Sequence, residues 1–186
     1  MAKIGIYGGS FNPVHFGHVG LARWVIENTD LDELWLLVSP LNPLKANSQQ
    51  LTANSEQQRL AAVQTAVQDI PHVKASDFEF HLPRPSYTAN TLRELHNAYP
   101  QHEFTLVIGE DNFAIFDKWR EYDYILANYR IFVYPRNLTG EAGLSVKRSI
   151  SETVYQAKPV KEIRYLSEAP TFDISSTAIR RSQGLE

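Results

Sequence analysis

Along the chain, short unbroken runs of aliphatic and β-branched residues alternate with stretches where apolar residues recur every three or four positions. Runs of the first kind lie at residues 3–7, 34–38, 73–80, 104–108, 130–134 and 163–166. Their length and continuity predict strands, and a continuous run such as 34–38 suits a parallel strand buried on both faces. The second kind predicts helices: Val19, Leu21, Ala22, Val25 and Ile26 form the first stripe, closed by Asn28, Thr29 and Asp30. Leu60, Val63, Ala66 and Val67 form the next, preceded by Ser55 and Gln58 at capping-box spacing. Arg59 lies near the start of that helix, off the stripe. Leu92, Leu95 and Tyr99 follow an entry that Ser86 or Thr88 is placed to cap. Val146, Ile150 and Val154 mark a further helix, and residues 174–181 a terminal one with a hydroxyl-rich entry.

Strand and helix alternate throughout, with no repeat, linker or low-complexity segment. The expected fold is therefore α/β, a single-domain doubly wound (Rossmann-like) and mainly parallel sheet over residues 1–186, with helices on both faces. With 43% of 186 residues hydrophobic, the chain has enough apolar surface for one full core. A formal net charge of −3 argues against a nucleic-acid partner held by phosphate contacts. The absence of cysteine excludes disulfides, thiolate metal sites and a cysteine nucleophile. No apolar run approaches the roughly 20 residues of a membrane span, and the first strand starts at Lys3, so the protein is expected in the cytoplasm, off the membrane.

The chemistry concentrates in residues 8–18, where Gly8, Gly9, Ser10, Phe11, Asn12, Pro13, His15, Gly17 and His18 occupy a strand-to-helix turn. Glycines there admit close approach of an anion, and helix-start N–H groups favour negative charge. His15 and His18, three apart, project from one side of the first turn and can donate to charge developing on a phosphate. An ordinary βα turn with two surface histidines is the bland alternative. Other loops end at the same kind of place. Residues 39–45 leave the second strand with Lys45 as their cation, and Gly109, Glu110 and Asp111 close the fourth strand, an acid there being suited to a ribose hydroxyl. Phe113, Phe116, Trp119, Tyr122 and Tyr124 form an aromatic cluster of the kind that is more often core than ligand platform. Residues 136–143 read as a polar loop.

The string from Gly9 to His18 resembles the signature of the HxGH nucleotidyltransferase superfamily. Residues 40–45, Ser86, Tyr87 and Thr88, residues 108–111, Trp119 and residues 174–180 extend that similarity over essentially the whole chain to the bacterial nicotinate-mononucleotide adenylyltransferase family. Three positions depart from the commoner pattern: Asn12 and Asn90 stand for aspartates and Leu44 for a histidine, which leaves Lys45 with more of its loop's phosphate binding. The resemblance implies that His15, His18 and Arg180 are catalytic. It places ATP on Gly8, Gly9, Ser10, Phe11, His15, His18, Lys45, Gly109, Asp111, Ile174, Ser176 and Arg180. Ser86, Tyr87, Thr88 and Trp119 would hold the pyridine nucleotide, Trp119 by stacking. It further implies ATP and nicotinate mononucleotide as substrates, in-line transfer without a covalent intermediate, and Mg2+ arriving with ATP, with no metal site of the protein's own. A homo-oligomer is left open. Alternatives are another acceptor, nicotinamide mononucleotide or pantetheine phosphate, and a nucleotide sensor without catalysis.

Overall fold

The computed structural model describes residues 1–40, 53–136 and 159–182, without the side chains of residues 53–55. The first half runs β1 (Lys3–Gly9), α1 (Phe16–Asn28), β2 (Glu33–Val38), α2 (Ala53–Val67), β3 (Val73–Ser76) and α3 (Thr88–Ala98). The second runs β4 (Glu103–Gly109), α4 (Glu110–Phe113), α5 (Tyr122–Asn128), β5 (Arg130–Tyr134), β6 (Glu162–Tyr165) and α6 (Ser176–Ser182). The strands form one sheet in the order β3-β2-β1-β4-β5-β6. Every pairing is parallel, from Ile4 opposite Glu33 to Arg130 opposite Glu162, so the sheet is wholly rather than mainly parallel among the described residues. This is the doubly wound, Rossmann-like architecture expected.

Alternation along the strands explains the two layers. Leu34, Leu36 and Val38 turn to one face, where Leu21, Val25, Leu60, Val63 and Val67 of α1 and α2 cover them. Trp35 and Leu37 turn to the other, with Ile4 and Ile6, beneath Leu92 and Leu95 of α3 and Ile125 and Leu126 of α5. Both faces are therefore dry, as continuous apolar strands require. The order of winding reverses between β1 and β4, which opens a crevice beyond their carboxyl ends. Among the described residues, no helix is long and apolar enough to cross a membrane.

Several local expectations are corrected. The third strand stops at Ser76 rather than Phe80, and Phe78–His81 form a 3₁₀ turn. Ser76 Oγ accepts the Phe78 N–H at 3.2 Å and the Asp77 carbonyl accepts the Phe80 N–H at 2.7 Å, local bonds that compete with the ladder. Neither Ser86 nor Thr88 caps α3: Tyr87 occupies the cap position, without a side-chain bond. Ser55 lies inside α2, which begins at Ala53, rather than before it. The helix expected around Val146, Ile150 and Val154, residues 137–143 of the polar loop, and Lys45 all fall outside the described residues.

The central strands set the stability. Leu36, 0% exposed between β1 and β3, should cost about 2–5 kcal/mol on Leu36→Ala. Phe16, 62% exposed, should cost under about 1 kcal/mol as Phe16→Ala. Urea unfolding of the two variants checks this, and equal losses would contradict the layered core.

Candidate active site

The site is assembled from the loops that leave the carboxyl ends of β1 and β4, with β5 and α6 closing it. β1 runs on through Gly8 and Gly9, so the two glycines belong to the strand and not to the turn. Gly8 has nothing within 4 Å of where a Cβ would stand, so the strand end lies open. The left-handed residue of the turn is Phe11, at φ 45°. For an aromatic residue that conformation persists only where packing enforces it. Phe11 is 1% exposed and its ring meets Tyr7 and His18 edge-on, with centroids 5.6 and 5.0 Å apart.

His15 immediately precedes α1 and His18 sits in its first turn. Their imidazoles stack with centroids 3.7 Å apart. His18 Nδ1 accepts the His15 backbone N–H at 3.2 Å, which in the neutral ring places the proton on Nε2, ready to donate. Burial, then the charges of His15 and Arg136, lowers the His18 pKa to about 3. Burial and then Arg136 lower that of His15 too. His15 Nδ1 is buried without a partner. Gly17 completes the pair, because a Cβ there would stand 3.1 Å from both the His15 ring and Ile174.

From the other side α6 meets the same loop. Ser176 Oγ donates to the Pro13 carbonyl at 2.8 Å, and Arg180 donates to the Asn12 carbonyl and to Thr177 Oγ1. Ser175 caps this helix, accepting the Ala178 N–H at 3.1 Å. At the end of β4, a Cβ on Gly109 would fall 2.4 Å from Asp111 Oδ1 and 3.1 Å from Arg136 Nε. Only glycine lets these groups converge. Asp111 pairs with Arg136 at 3.6 Å, while Glu110 is buried as an acceptor for the Arg136 N–H and the Tyr165 hydroxyl.

Two cavities result. The smaller is lined by His15, His18, Arg136, Phe172 and Ile174. The larger, about 190 Å³, is lined by all four residues expected to hold the pyridine nucleotide, Ser86, Tyr87, Thr88 and Trp119. Tyr7 and Tyr134 line both, their hydroxyls 3.4 Å apart at the boundary. Ser86 Oγ and Trp119 Nε1, on two residues that line the larger cavity, are buried without partners among the described residues. Among the described residues no three His, Asp or Glu side chains stand together as a metal site.

Four lining residues were not foreseen. Arg136, Lys118 and Arg120 bring cations, Arg120 standing 4.9 Å over the Tyr87 ring. Glu79 is buried and accepts from Ser39 Oγ at 2.6 Å and Thr91 Oγ1 at 2.9 Å. Burial raises its pKa against those two bonds. Arg136 had a readable signal, a cation just past a strand's carboxyl end. Glu79 had none, since it fell inside the strand expected to run to Phe80.

The chain matches the cytidylyltransferase-like family over residues 6–182. It is similar to a probable nicotinate-nucleotide adenylyltransferase of Bacteroides thetaiotaomicron, 45% identical over 97% of this chain and 81% of the relative. One of Flavobacterium psychrophilum is 42% identical over 97% and 86%. Among solved structures, the nicotinic acid mononucleotide adenylyltransferase of Plasmodium falciparum complexed with NaAD superposes with a TM-score of 0.71. That likeness covers 97% of this chain and 83% of the other at 17% identity, and so bears on the fold.

The histidine geometry predicts a titration. His18 should stay neutral from pH 8 down to about pH 4, below the ordinary histidine value of 6.5, because its folded pKa is about 3. The unfolded chain binds that proton first, so this group's contribution to stability is present above pH 6.5 and is lost as pH falls toward 3. NMR of the ring protons checks it. A His18 midpoint near 6.5 in the free protein would contradict the buried, neutral pair.

Proposed function

The chain belongs to the cytidylyltransferase-like family, and from that membership we propose how its two cavities divide one reaction. The chain is an adenylyltransferase of NAD biosynthesis: it joins the AMP moiety of ATP to nicotinate mononucleotide, giving deamido-NAD and pyrophosphate. Residues 1–186 act as one nucleotidyltransferase domain. The observation that carries the division is the shared wall. The cavity with the stacked histidines and the cavity with the donor-rich aromatic lining meet at Tyr7 and Tyr134.

In this reading ATP lies along the β1 end and α6. Gly8, Gly9, Ser10 and Phe11 bring their backbone to the phosphates. Ser176 and Arg180 approach from α6 and Ile174 from just before it, Lys45 is assigned to the phosphates as well, and Gly109 and Asp111 border the adenosine. The mononucleotide fills the larger cavity, its ring against Trp119 and its carboxylate toward Ser86, Tyr87 and Thr88. A phosphate oxygen of the mononucleotide attacks the α-phosphorus of ATP in line. The bond from that phosphorus to the bridging oxygen breaks, and the electron pair leaves with pyrophosphate. No side chain forms a bond to phosphorus. His15 and His18 stay neutral and donate to oxygens that gain charge as the bond breaks, so their effect is greatest in the transition state.

Nucleotidyltransferases of this kind use a divalent cation with ATP, which we take to be Mg2+. Arriving with the nucleotide, it would offset the charge of the phosphates. The location implied is the cytoplasm, with no membrane or nucleic-acid partner.

The test is dinucleotide formation and pyrophosphate release from ATP with each mononucleotide in turn. His18→Ala should lower kcat by about a hundredfold or more while changing the KM for ATP far less. Turnover near that of the wild type would remove His18 from the chemistry. Selectivity follows from the lining. An amide N–H₂ facing the unpaired donors of Ser86 and Trp119 and the cations of Lys118 and Arg120 finds few acceptors, whereas a carboxylate accepts from several. The acid should therefore be preferred by about tenfold to a hundredfold in kcat/KM, roughly 1.4–2.8 kcal/mol. Trp119→Ala should raise the KM of both mononucleotides and largely keep their ratio. Equal use of acid and amide by the wild type would overturn the substrate assignment.

A further inference from the structure

Arg59 lies on α2, lines neither cavity, and is 4% exposed. Burying a cation is costly unless it is paired, yet no carboxylate among the described residues bonds it. Glu56, one turn earlier on the same helix, gives its two oxygens to Arg84 at 2.9 Å each. Burial lowers the Arg59 pKa, opposed only by the nearby charge of Glu56, and a guanidinium remains charged regardless. Its partners are backbone carbonyls. Nη1 donates to Ser10 and, at 2.8 Å, to Ser39, while Nη2 reaches Pro40 at 3.5 Å.

Those carbonyls belong to the segments that leave β1 and β2, neighbours in the sheet. Ser39 is held at every polar group: its N–H by the Gly9 carbonyl at 2.9 Å, its hydroxyl by Glu79 at 2.6 Å, its carbonyl by Arg59. Ser10 has a different consequence. In a trans peptide the C=O and the following N–H point in opposite directions, and the bond between Ser10 and Phe11 is trans. Drawing the Ser10 carbonyl toward α2 thus turns the Phe11 N–H away from it. Among the described residues that N–H has no acceptor, and Phe11 itself is held at φ 45° with its ring against His18. A rigid, unspent donor in a strained turn beside the histidines is what an anion site needs.

Resting on the phosphate placement proposed above, we propose that Arg59 is a positioning residue for the transfer. From behind the loop it fixes the Ser10 carbonyl, thereby aims the Phe11 N–H at the ATP phosphates, and keeps the β1 and β2 loops in register. Its buried charge also makes the loop more positive, at a place where solvent screens little.

The test is steady-state kinetics of wild type, Arg59→Ala and Arg59→Lys, with folding checked by circular dichroism and thermal unfolding. Arg59→Ala should lower kcat by about tenfold to a hundredfold and leave the KM of the mononucleotide within about threefold. Millimolar guanidinium ion should restore part of that kcat in Arg59→Ala and none in Arg59→Lys. Lysine should recover little by itself, since an ammonium lacks the planar fork that spans two carbonyls. Purely structural support would instead lower Tm while turnover per folded molecule stayed normal, with no rescue. A folded Arg59→Ala with kcat within threefold of wild type overturns the proposal, as does a failure of guanidinium to rescue. Should Arg59→Ala not fold, the kcat of Arg59→Lys decides on the same threshold. A wild type that forms no dinucleotide overturns the functional reading and this proposal with it, whereas an active wild type beside an unimpaired variant overturns the proposal alone.

Discussion

Between β1 and β4 the chain changes the direction in which it adds strands, and both cavities described above lie where that change leaves the strand ends uncovered. On one side stand the loop after β1, Ser39 at the end of β2 and Glu79. On the other stand Gly109 and Asp111 at the end of β4, and Tyr134 and Arg136 at the end of β5. The crevice is rigid because the strands that make it are dry on both faces. Donors on different strands therefore stay in fixed relation, which is the condition for electrostatic stabilisation without reorganisation.

Within that crevice the charges are arranged for an anionic visitor. Two imidazoles at 3.7 Å are held below the ordinary histidine value by burial and by Arg136, with His15 adding to the effect on His18, so the rings stay neutral and bring no positive charge that would have to be shed. Fixed positive charge comes from guanidinium groups instead: Arg136 beside the histidines, Arg180 against the Asn12 carbonyl, and Arg59 from behind. At the end of β4, Asp111 is turned toward Arg136, and Glu110 is spent on the backbone and Tyr165. Glu79, the carboxylate in the larger cavity, is occupied by two hydroxyls.

Much of this was legible in the residues. Continuous apolar runs gave strands that agree with β2, β4, β5 and β6 to within a residue at each end, and the two strand ends carrying Gly9 and Gly109 both open on the site. Ser86, Tyr87 and Thr88, consecutive in sequence, and the distant Trp119 line one cavity. What escaped were residues whose meaning depends on distant partners. Arg59 sits on a helix that reads as polar at that position, and its partners lie 49, 20 and 19 residues away. Phe11 could not be picked as the left-handed residue, because local preference favours the adjacent glycines and only the packing of its ring decides otherwise. Glu79 followed a strand period that Ser76 and Asp77 interrupt with bonds of their own.

In the reading proposed above, the mononucleotide phosphate displaces pyrophosphate directly, with no side chain bonded to phosphorus on the way. The stereochemical course at the α-phosphorus tests that most directly. With ATP made chiral there by sulfur substitution, a single in-line displacement inverts the configuration in the dinucleotide formed with nicotinate mononucleotide. Inversion is the predicted result. Retention would require two displacements and a covalent intermediate on the protein, and would contradict the account.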